Sequence, residues 1–134
     1  MSQTDPHTAA SAESPFKGKT GIQRLINATG YSIDGFRAAW RHESAFRQVC
    51  LLLLAGIGMA LYLPLPPWGR ALIVFAHFLS VIVELLNSAV EAAVDHTSLD
   101  HHLLAKRAKD LGSAAQLGAL LNMAVIWAIV LTAH

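Results

Sequence analysis

Three long apolar runs alternate with short polar segments along the sequence. The runs cover residues 49–65, 71–94 and 111–133. Each is close to the roughly 20 residues that a helix needs to cross the hydrocarbon core of a bilayer. The first run ends at a cluster of prolines, which interrupt a helix. This pattern predicts an all-α membrane protein with three membrane-spanning helices.

The segment before the first span has a second kind of pattern. Apolar residues recur at helical spacing over residues 22–46, with Arg and Asn between them. We expect an N-terminal amphipathic helix here, bent or broken near Gly30. Such a helix either lies in the membrane interface or packs on the protein's own cytoplasmic face, and the pattern leaves both arrangements open. Residues 1–20 are rich in Ser, Thr, Ala and Pro, which predicts a disordered tail.

Composition and the distribution of charge predict how the chain is oriented in the membrane. With 54% hydrophobic and 14% charged residues, the chain is more apolar than a typical soluble domain, and we expect one membrane domain over residues 21–134. Lys and Arg concentrate in residues 17–47 and in the 95–110 loop, whereas the loop after the first span has only Arg70. The positive-inside rule then places the N-terminus in the cytoplasm and the C-terminus outside. The first apolar run begins too far along the chain for a cleaved signal peptide.

The second span contains a stripe of polar residues. Their spacing places all of them on one side of a helix, at about 100° per residue. An ionisable side chain at the membrane centre costs on the order of 2.5–3.5 kcal/mol, so this side is expected to face away from lipid. The members of this polar stripe are His77, Ser80, Glu84, Asn87, Ser88, Glu91 and Asp95.

Two interpretations apply to different members of the polar stripe. Hydrogen bonding between membrane helices suits His77, Ser80 and Ser88. Carboxylates that lack a neighbouring cation are poorly suited to hydrogen bonding between membrane helices. The presence of Glu84 and Glu91 in the stripe therefore indicates a reactive site. Seven residues separate them by roughly 10 Å along a helix axis. With Glu91 near the cytoplasmic boundary and Glu84 beneath it, such a site suits one reactant from water and one from the membrane.

Other charged residues fall near the same boundary. Glu43 ends the amphipathic helix, and Lys109 and Asp110 precede the third span. The histidines of the 96–102 loop match no zinc-ligand spacing, and the lone Cys50 has no partner, so we expect a solvated loop and a packing role for the thiol. Gly and Lys near residue 18 do not form a complete phosphate-binding loop. Phosphoryl transfer at this site would therefore use Mg²⁺ on carboxylates, together with Lys or Arg.

Two of these segments resemble a known family. The run ELLNSAVEAAVD at residues 84–95 and the run RAKDLGSAA at residues 107–115 closely resemble the signature of prokaryotic diacylglycerol kinase. Upstream, ATGYS at residues 28–32 and RAAWRHESAFRQ at residues 37–48 resemble the amphipathic surface helix of that family. The resemblance extends from about Arg24 to the C-terminus.

The resemblance implies a homotrimer in the bacterial inner membrane, with active sites shared between neighbouring subunits and no nucleic-acid partner. It also implies transfer of the γ-phosphate of MgATP to the hydroxyl of diacylglycerol, giving phosphatidate. By motif position, Glu84 is then the general base, and Glu43 and Glu91 bind Mg²⁺ and, through it, the nucleotide. The remaining catalytic positions are Asn87, Asp95, Lys109 and Asp110. The other nucleotide contacts are Tyr31, Asp100, His101, His102, Lys109 and Asp110. The lipid contacts are Arg24, Ala28, Gly30, Tyr31, Ser32, Arg37, Trp40, Arg70, Glu84 and Ser113.

The 96–102 loop, HTSLDHH, follows the family pattern only in part. Two other functions stay open on the sequence. A kinase of the same fold could act on undecaprenol with the same catalytic residues. A small ion or proton transporter could use Glu84 and Glu91 as a relay, although Glu43 and the neighbouring Lys109 and Asp110 would then have no role.

Overall fold

The computed structural model describes residues 21–97 and 103–133. The predicted tail at residues 1–20 and the predicted nucleotide contacts Asp100, His101 and His102 therefore lie outside the described residues. All regular structure in the described part is helical, which confirms the all-α prediction. The helices are α1 (Ile22–His42), α2 (Ser44–Tyr62), α3 (Pro67–Thr97) and α4 (Leu103–Thr132).

Helices α2, α3 and α4 are each long and apolar enough to cross a membrane, as the sequence predicted. Their ends differ from the apolar runs. Helices α3 and α4 extend into the polar segment between them, because backbone hydrogen bonding continues where the apolar run stops. Helix α2 ends at Tyr62, since Leu63 precedes a proline and is extended (φ −75°, ψ 147°).

The break between α1 and α2 lies at Glu43 and not near Gly30, which is inside α1. Glu43 is extended (φ −108°, ψ 109°), so the first helix ends at His42, four residues before the predicted end. The guanidinium of Arg47 donates to the carbonyl of Trp40 at 2.8 Å. This hydrogen bond joins the two helices across the break.

The chain divides into two compact units between Gly35 and Phe36. In the first unit, the α1 residues are exposed apart from the half-buried Asn27. Two hydroxyls of this unit donate to carbonyls one turn earlier, from Thr29 to Leu25 at 3.0 Å and from Ser32 to Ala28 at 2.9 Å. These polar side chains are thus satisfied within their own helix.

In the second unit, α3 packs against both α2 and α4 and runs antiparallel to each. The antiparallel arrangement with α2 follows from the short Leu63–Pro66 connection between the two helices. One core cluster lies near the start of α2, and half-buried Cys50 packs against it as predicted. The first cluster contains Ala39, Phe46, Val49 and Val81, and the second contains Ala60, Leu65, Ile73 and Val130.

Candidate active site

The polar stripe of α3 faces protein, as the sequence predicted. Burial decreases along it: Ser80 and Glu84 are buried, Glu91 is half-buried, and Asp95 is exposed. Because these residues follow one another on one face of a single helix, they connect the bundle interior with its polar end. Residues of α2 and α4 meet the stripe along its length.

Glu84 is the buried carboxyl of this stripe, with only 2% of its surface exposed. Within the described part of the chain, no side chain or backbone group forms a hydrogen bond with it. The carboxylates of Glu91 and Glu43 are close enough to interact with it electrostatically. Three acidic residues, two from α3 and one from the α1–α2 break, therefore share one region, and Glu84 is the innermost of them.

Glu91 and Glu43 differ from Glu84 in their exposure, since both are half-buried. The side-chain amide of Asn87 donates to Oε1 of Glu91 at 3.3 Å. Glu43 occupies the N-cap position of α2, but its carboxylate makes no capping hydrogen bond. Both residues thus keep carboxylate oxygens for another ligand.

The described residues would not enclose a divalent cation at these two carboxylates without further ligands. No three His, Cys, Asp or Glu side chains within residues 21–97 and 103–133 come close enough to enclose a metal ion. Mg²⁺ in phosphoryl-transfer sites usually takes one or two protein carboxylates and completes its shell with phosphate and water oxygens. Glu43 and Glu91 would be the two protein carboxylates of such a site.

The exposed end of the stripe is joined to α4 by an ion pair. Nζ of Lys109 lies 3.1 and 3.4 Å from the two carboxylate oxygens of Asp95. Asp110 is engaged differently, since it pairs with Lys106 one turn earlier on its own helix. The structure thus brings Lys109 to the stripe, while Asp110 stays on the exposed side of α4.

Other predicted site residues lie elsewhere. Arg70 is near the start of α3, about 21 Å along the axis from Glu84, and its guanidinium donates to the carbonyl of Leu63 at 3.3 Å. Ser113 is exposed on α4, and Arg37 and Trp40 are exposed on the second-unit part of α1. The predicted contacts in the first unit are all exposed on α1: Arg24, Ala28, Gly30, Tyr31 and Ser32.

Of the three residues expected to hydrogen-bond between helices, only Ser80 does so in the described part of the chain. The hydrogen bond of His77 stays within α3, and the buried hydroxyl of Ser88 has no hydrogen-bond partner among the described residues. His77 shares a 2.8 Å hydrogen bond between Nδ1 and the carbonyl of Ile73, and its ring meets Trp127 of α4 edge-on at 6.2 Å between centroids. The ring also fills the space beside Gly56 of α2, where an added Cβ would be 2.1 Å from Nε2. Ser80 contacts α4 through Gln116.

Two residues of α4 were missed by the sequence analysis. Gln116 donates to the hydroxyl of Ser80 at 3.0 Å. It is a polar residue within the third apolar run, and that signal could have identified it. Gly112 packs against Asn87, where an added Cβ would be 2.1 Å from Oδ1. Gly112 lies within the signature run at residues 107–115, but the run does not show which residue of α3 it meets.

The fold and the acidic cluster define a class of protein: a helical protein with three helices long enough to span a membrane and with carboxylates near the polar end of its bundle. Comparison with known proteins identifies the family to which this class corresponds. The family model for prokaryotic diacylglycerol kinase matches residues 30–131. The diacylglycerol kinase of Pseudomonas aeruginosa is 54% identical over 88% of this chain and 96% of its own length. Those of Escherichia coli K12 and Helicobacter pylori 26695 are 44% and 50% identical over 86% of this chain, and over 94% and 89% of their own lengths.

The chain belongs to the prokaryotic diacylglycerol kinase family. It is therefore a bacterial membrane kinase, which confirms the resemblance found in the two signature runs.

Proposed function

We propose that the protein transfers the γ-phosphate of ATP to the free hydroxyl of diacylglycerol and forms phosphatidate at the cytoplasmic face of the bacterial inner membrane. Family membership supports the reaction. The observation that carries the site is the burial of Glu84 on the helix face that also presents Glu91 and Asp95. A lipid hydroxyl would approach from the membrane side of this face, and the nucleotide from its exposed end.

Glu84 is the proposed general base. An alcohol is a weak nucleophile, so a positioned carboxylate takes its proton as the new oxygen–phosphorus bond forms and the bond to ADP breaks. Burial keeps bulk water from this carboxylate, and the absence of a hydrogen-bond partner in the described residues leaves its oxygens available. The proton can later leave toward the exposed end of the same face.

Lys109 is proposed to stabilise the transferring phosphate. Its ammonium is held near the stripe by Asp95 and carries N–H groups that can pair with phosphate oxygens. The predicted role of Asp110 at the nucleotide stays a proposal, as do those of Asp100, His101 and His102.

The metal ion would be held by Glu43 and Glu91, with Asn87 orienting the latter. When bound there, Mg²⁺ would neutralise charge on the phosphate oxygens. The chain's own contribution is to bring two carboxylates from separate segments to the same region as Glu84.

The assembly is proposed to be a homotrimer that shares its sites between subunits. Large apolar side chains of the three spans are exposed in the single chain, including Phe75, Leu86 and Leu121. Lipid and neighbouring copies would cover these surfaces. Residues 21–134 would form one kinase domain, and α1 would lie in the membrane interface with its predicted lipid contacts, while Arg70 would meet lipid at the far end of α3.

The test is a phosphorylation assay with purified protein in mixed micelles, using radiolabelled ATP and either diacylglycerol or undecaprenol. We expect labelled phosphatidate and a clear preference for diacylglycerol, because the relatives above are named diacylglycerol kinase. A preference for undecaprenol would overturn the proposed substrate. Ion flux in liposomes without ATP turnover would instead support a transporter.

A further inference from the structure

Gly112 of α4 lies against the side chain of Asn87 on α3. A Cβ built on Gly112 would be 2.1 Å from Oδ1, 3.2 Å from Cγ and 3.8 Å from Cα of Asn87. The first distance is far below van der Waals contact, so any side chain here would displace the amide by roughly 1 Å or more. The observed position of the Asn87 amide therefore requires glycine at position 112, whereas the α3 backbone itself lies at ordinary contact distance.

The orientation of the Asn87 amide follows from its two neighbours. Its Nδ2 group donates to Oε1 of Glu91 at 3.3 Å, so Oδ1 points the other way, toward Gly112. Rotating the amide by 180° would bring Oδ1 against the carboxylate of Glu91, which also only accepts hydrogen bonds. Oδ1 is buried and has no hydrogen-bond partner among the described residues. Packing by Gly112, and not a second hydrogen bond, thus holds the amide in place.

We propose that Gly112 is a positioning residue for nucleotide binding: by leaving room for Oδ1, it holds the Asn87 amide toward Glu91 and so orients that carboxylate for the metal–nucleotide complex. This inference rests on the proposed role of Glu91. It extends the site from the stripe on α3 to a backbone position on α4 that itself contacts no substrate.

The consequence is a specific defect when Gly112 acquires a side chain. In Gly112→Ala, the new methyl group would rotate the amide away from Glu91 and leave that carboxylate free to turn. Groups that hydrogen-bond a metal ligand typically change metal affinity by about 10- to 100-fold when they are lost. We therefore expect the KM for MgATP to rise at least about tenfold, with a smaller change in kcat.

The test uses the full-length protein in detergent micelles and compares Gly112→Ala, Asn87→Ala and the double variant. MgATP affinity is measured directly by equilibrium dialysis, and the side-chain amide resonance of Asn87 is followed by NMR in the absence of nucleotide. If Gly112 acts through Asn87, Asn87→Ala already removes the clash, and adding Gly112→Ala should weaken binding no further. A purely structural role for Gly112 predicts additive losses instead.

Gly118→Ala is the matched control, because it lies on the same helix and an added Cβ would meet no atom within 4 Å. It should shift neither the Asn87 resonance nor MgATP affinity.

Wild-type affinity in Gly112→Ala, or additive losses in the double variant, would overturn the proposal. If Gly112→Ala does not fold, the double variant should still fold as well as Asn87→Ala, and failure to do so would also overturn it. Absence of lipid phosphorylation by the wild-type protein would contradict the proposed function alone, since binding and NMR are measured without lipid.

Discussion

Gln116 donates a hydrogen bond to the hydroxyl of Ser80 at 3.0 Å, one helical turn before Glu84. Both side chains are buried, with 9% and 2% of their surface exposed. The second amide atom of Gln116, Oε1, has no partner in the part of the chain that the structure describes. The pair therefore links α4 to α3 one turn from the proposed base, inside the helix bundle.

The first prediction concerns the energy of this pair. A double-mutant cycle with Ser80→Ala and Gln116→Leu should give a coupling energy of about 0.6 kcal/mol and at most about 1.7 kcal/mol, the range found between membrane helices. Unfolding in mixed micelles with increasing denaturing detergent measures it. Strictly additive effects of the two substitutions would show that the hydrogen bond contributes nothing to stability.

The second prediction compares two glycines of α2. Gly56 lies against the imidazole of His77, whereas an added Cβ at Gly58 would meet no atom within 4 Å. Gly56→Ala should lower the free energy of unfolding by about 1–3 kcal/mol through overpacking, and Gly58→Ala should change it little. The measurement is the same detergent-induced unfolding.

His77 supplies the check on that explanation. Replacing it with Ala removes the ring that an alanine at position 56 would strike. The loss caused by Gly56→Ala should therefore shrink in a His77→Ala background. An undiminished loss would mean that the strain arises at another contact of α2.

Much of the fold could be predicted because the apolar runs have the length that a bilayer requires. The polar stripe was also predictable, since its members repeat at helical spacing and a membrane penalises polar groups that face lipid. The break at Glu43 was not, because a polar residue between two helical patterns carries no strong stop signal. Gly30 has lower helix propensity, yet the helix continues through it.

The candidate site was predictable where chemistry is visible in the residue type, as for Glu84, Glu91 and Lys109. The contacts that support the site depend on which residues of α3 lie against which residues of α4. A single sequence does not show how two helices are aligned against each other. The contact of Gly112 with Asn87 and the pairing of Gln116 with Ser80 are therefore found only once the helices are packed.

The third prediction is the orientation in the membrane. Basic residues before α2 and between α3 and α4 predict a cytoplasmic N-terminus and an external C-terminus. An alkaline phosphatase fusion at the C-terminus should be active, and a green fluorescent protein fusion there should not fluoresce. The reverse result would contradict a topology with three spans and a cytoplasmic N-terminus.

The fourth prediction separates nucleotide binding from proton transfer. Glu43→Gln and Glu91→Gln should each weaken MgATP binding, because the amide keeps the size of the carboxylate but not its charge for the metal ion. Equilibrium dialysis on protein of unchanged oligomer size measures the affinity, and Glu84→Gln serves as the comparison that should keep it. Unchanged affinity in both variants would remove Glu43 and Glu91 from the metal site.

The last prediction concerns Glu84 itself. Glu84→Gln preserves side-chain size and polarity but cannot accept a proton from the lipid hydroxyl. Loss of a general base lowers turnover by roughly 10² to 10⁴, so kcat should fall by at least that lower factor at saturating MgATP and diacylglycerol. MgATP affinity and oligomer size should stay unchanged, because Glu84 lies deeper than Glu91 and makes no hydrogen bond with the described residues. Ser80→Ala, one turn away on the same buried face, removes a hydrogen bond but no proton acceptor, and it should keep most of the turnover. Retention of more than about a tenth of wild-type kcat in Glu84→Gln would be a smaller loss than removal of a general base causes. Proton removal would then have to be assigned to another group.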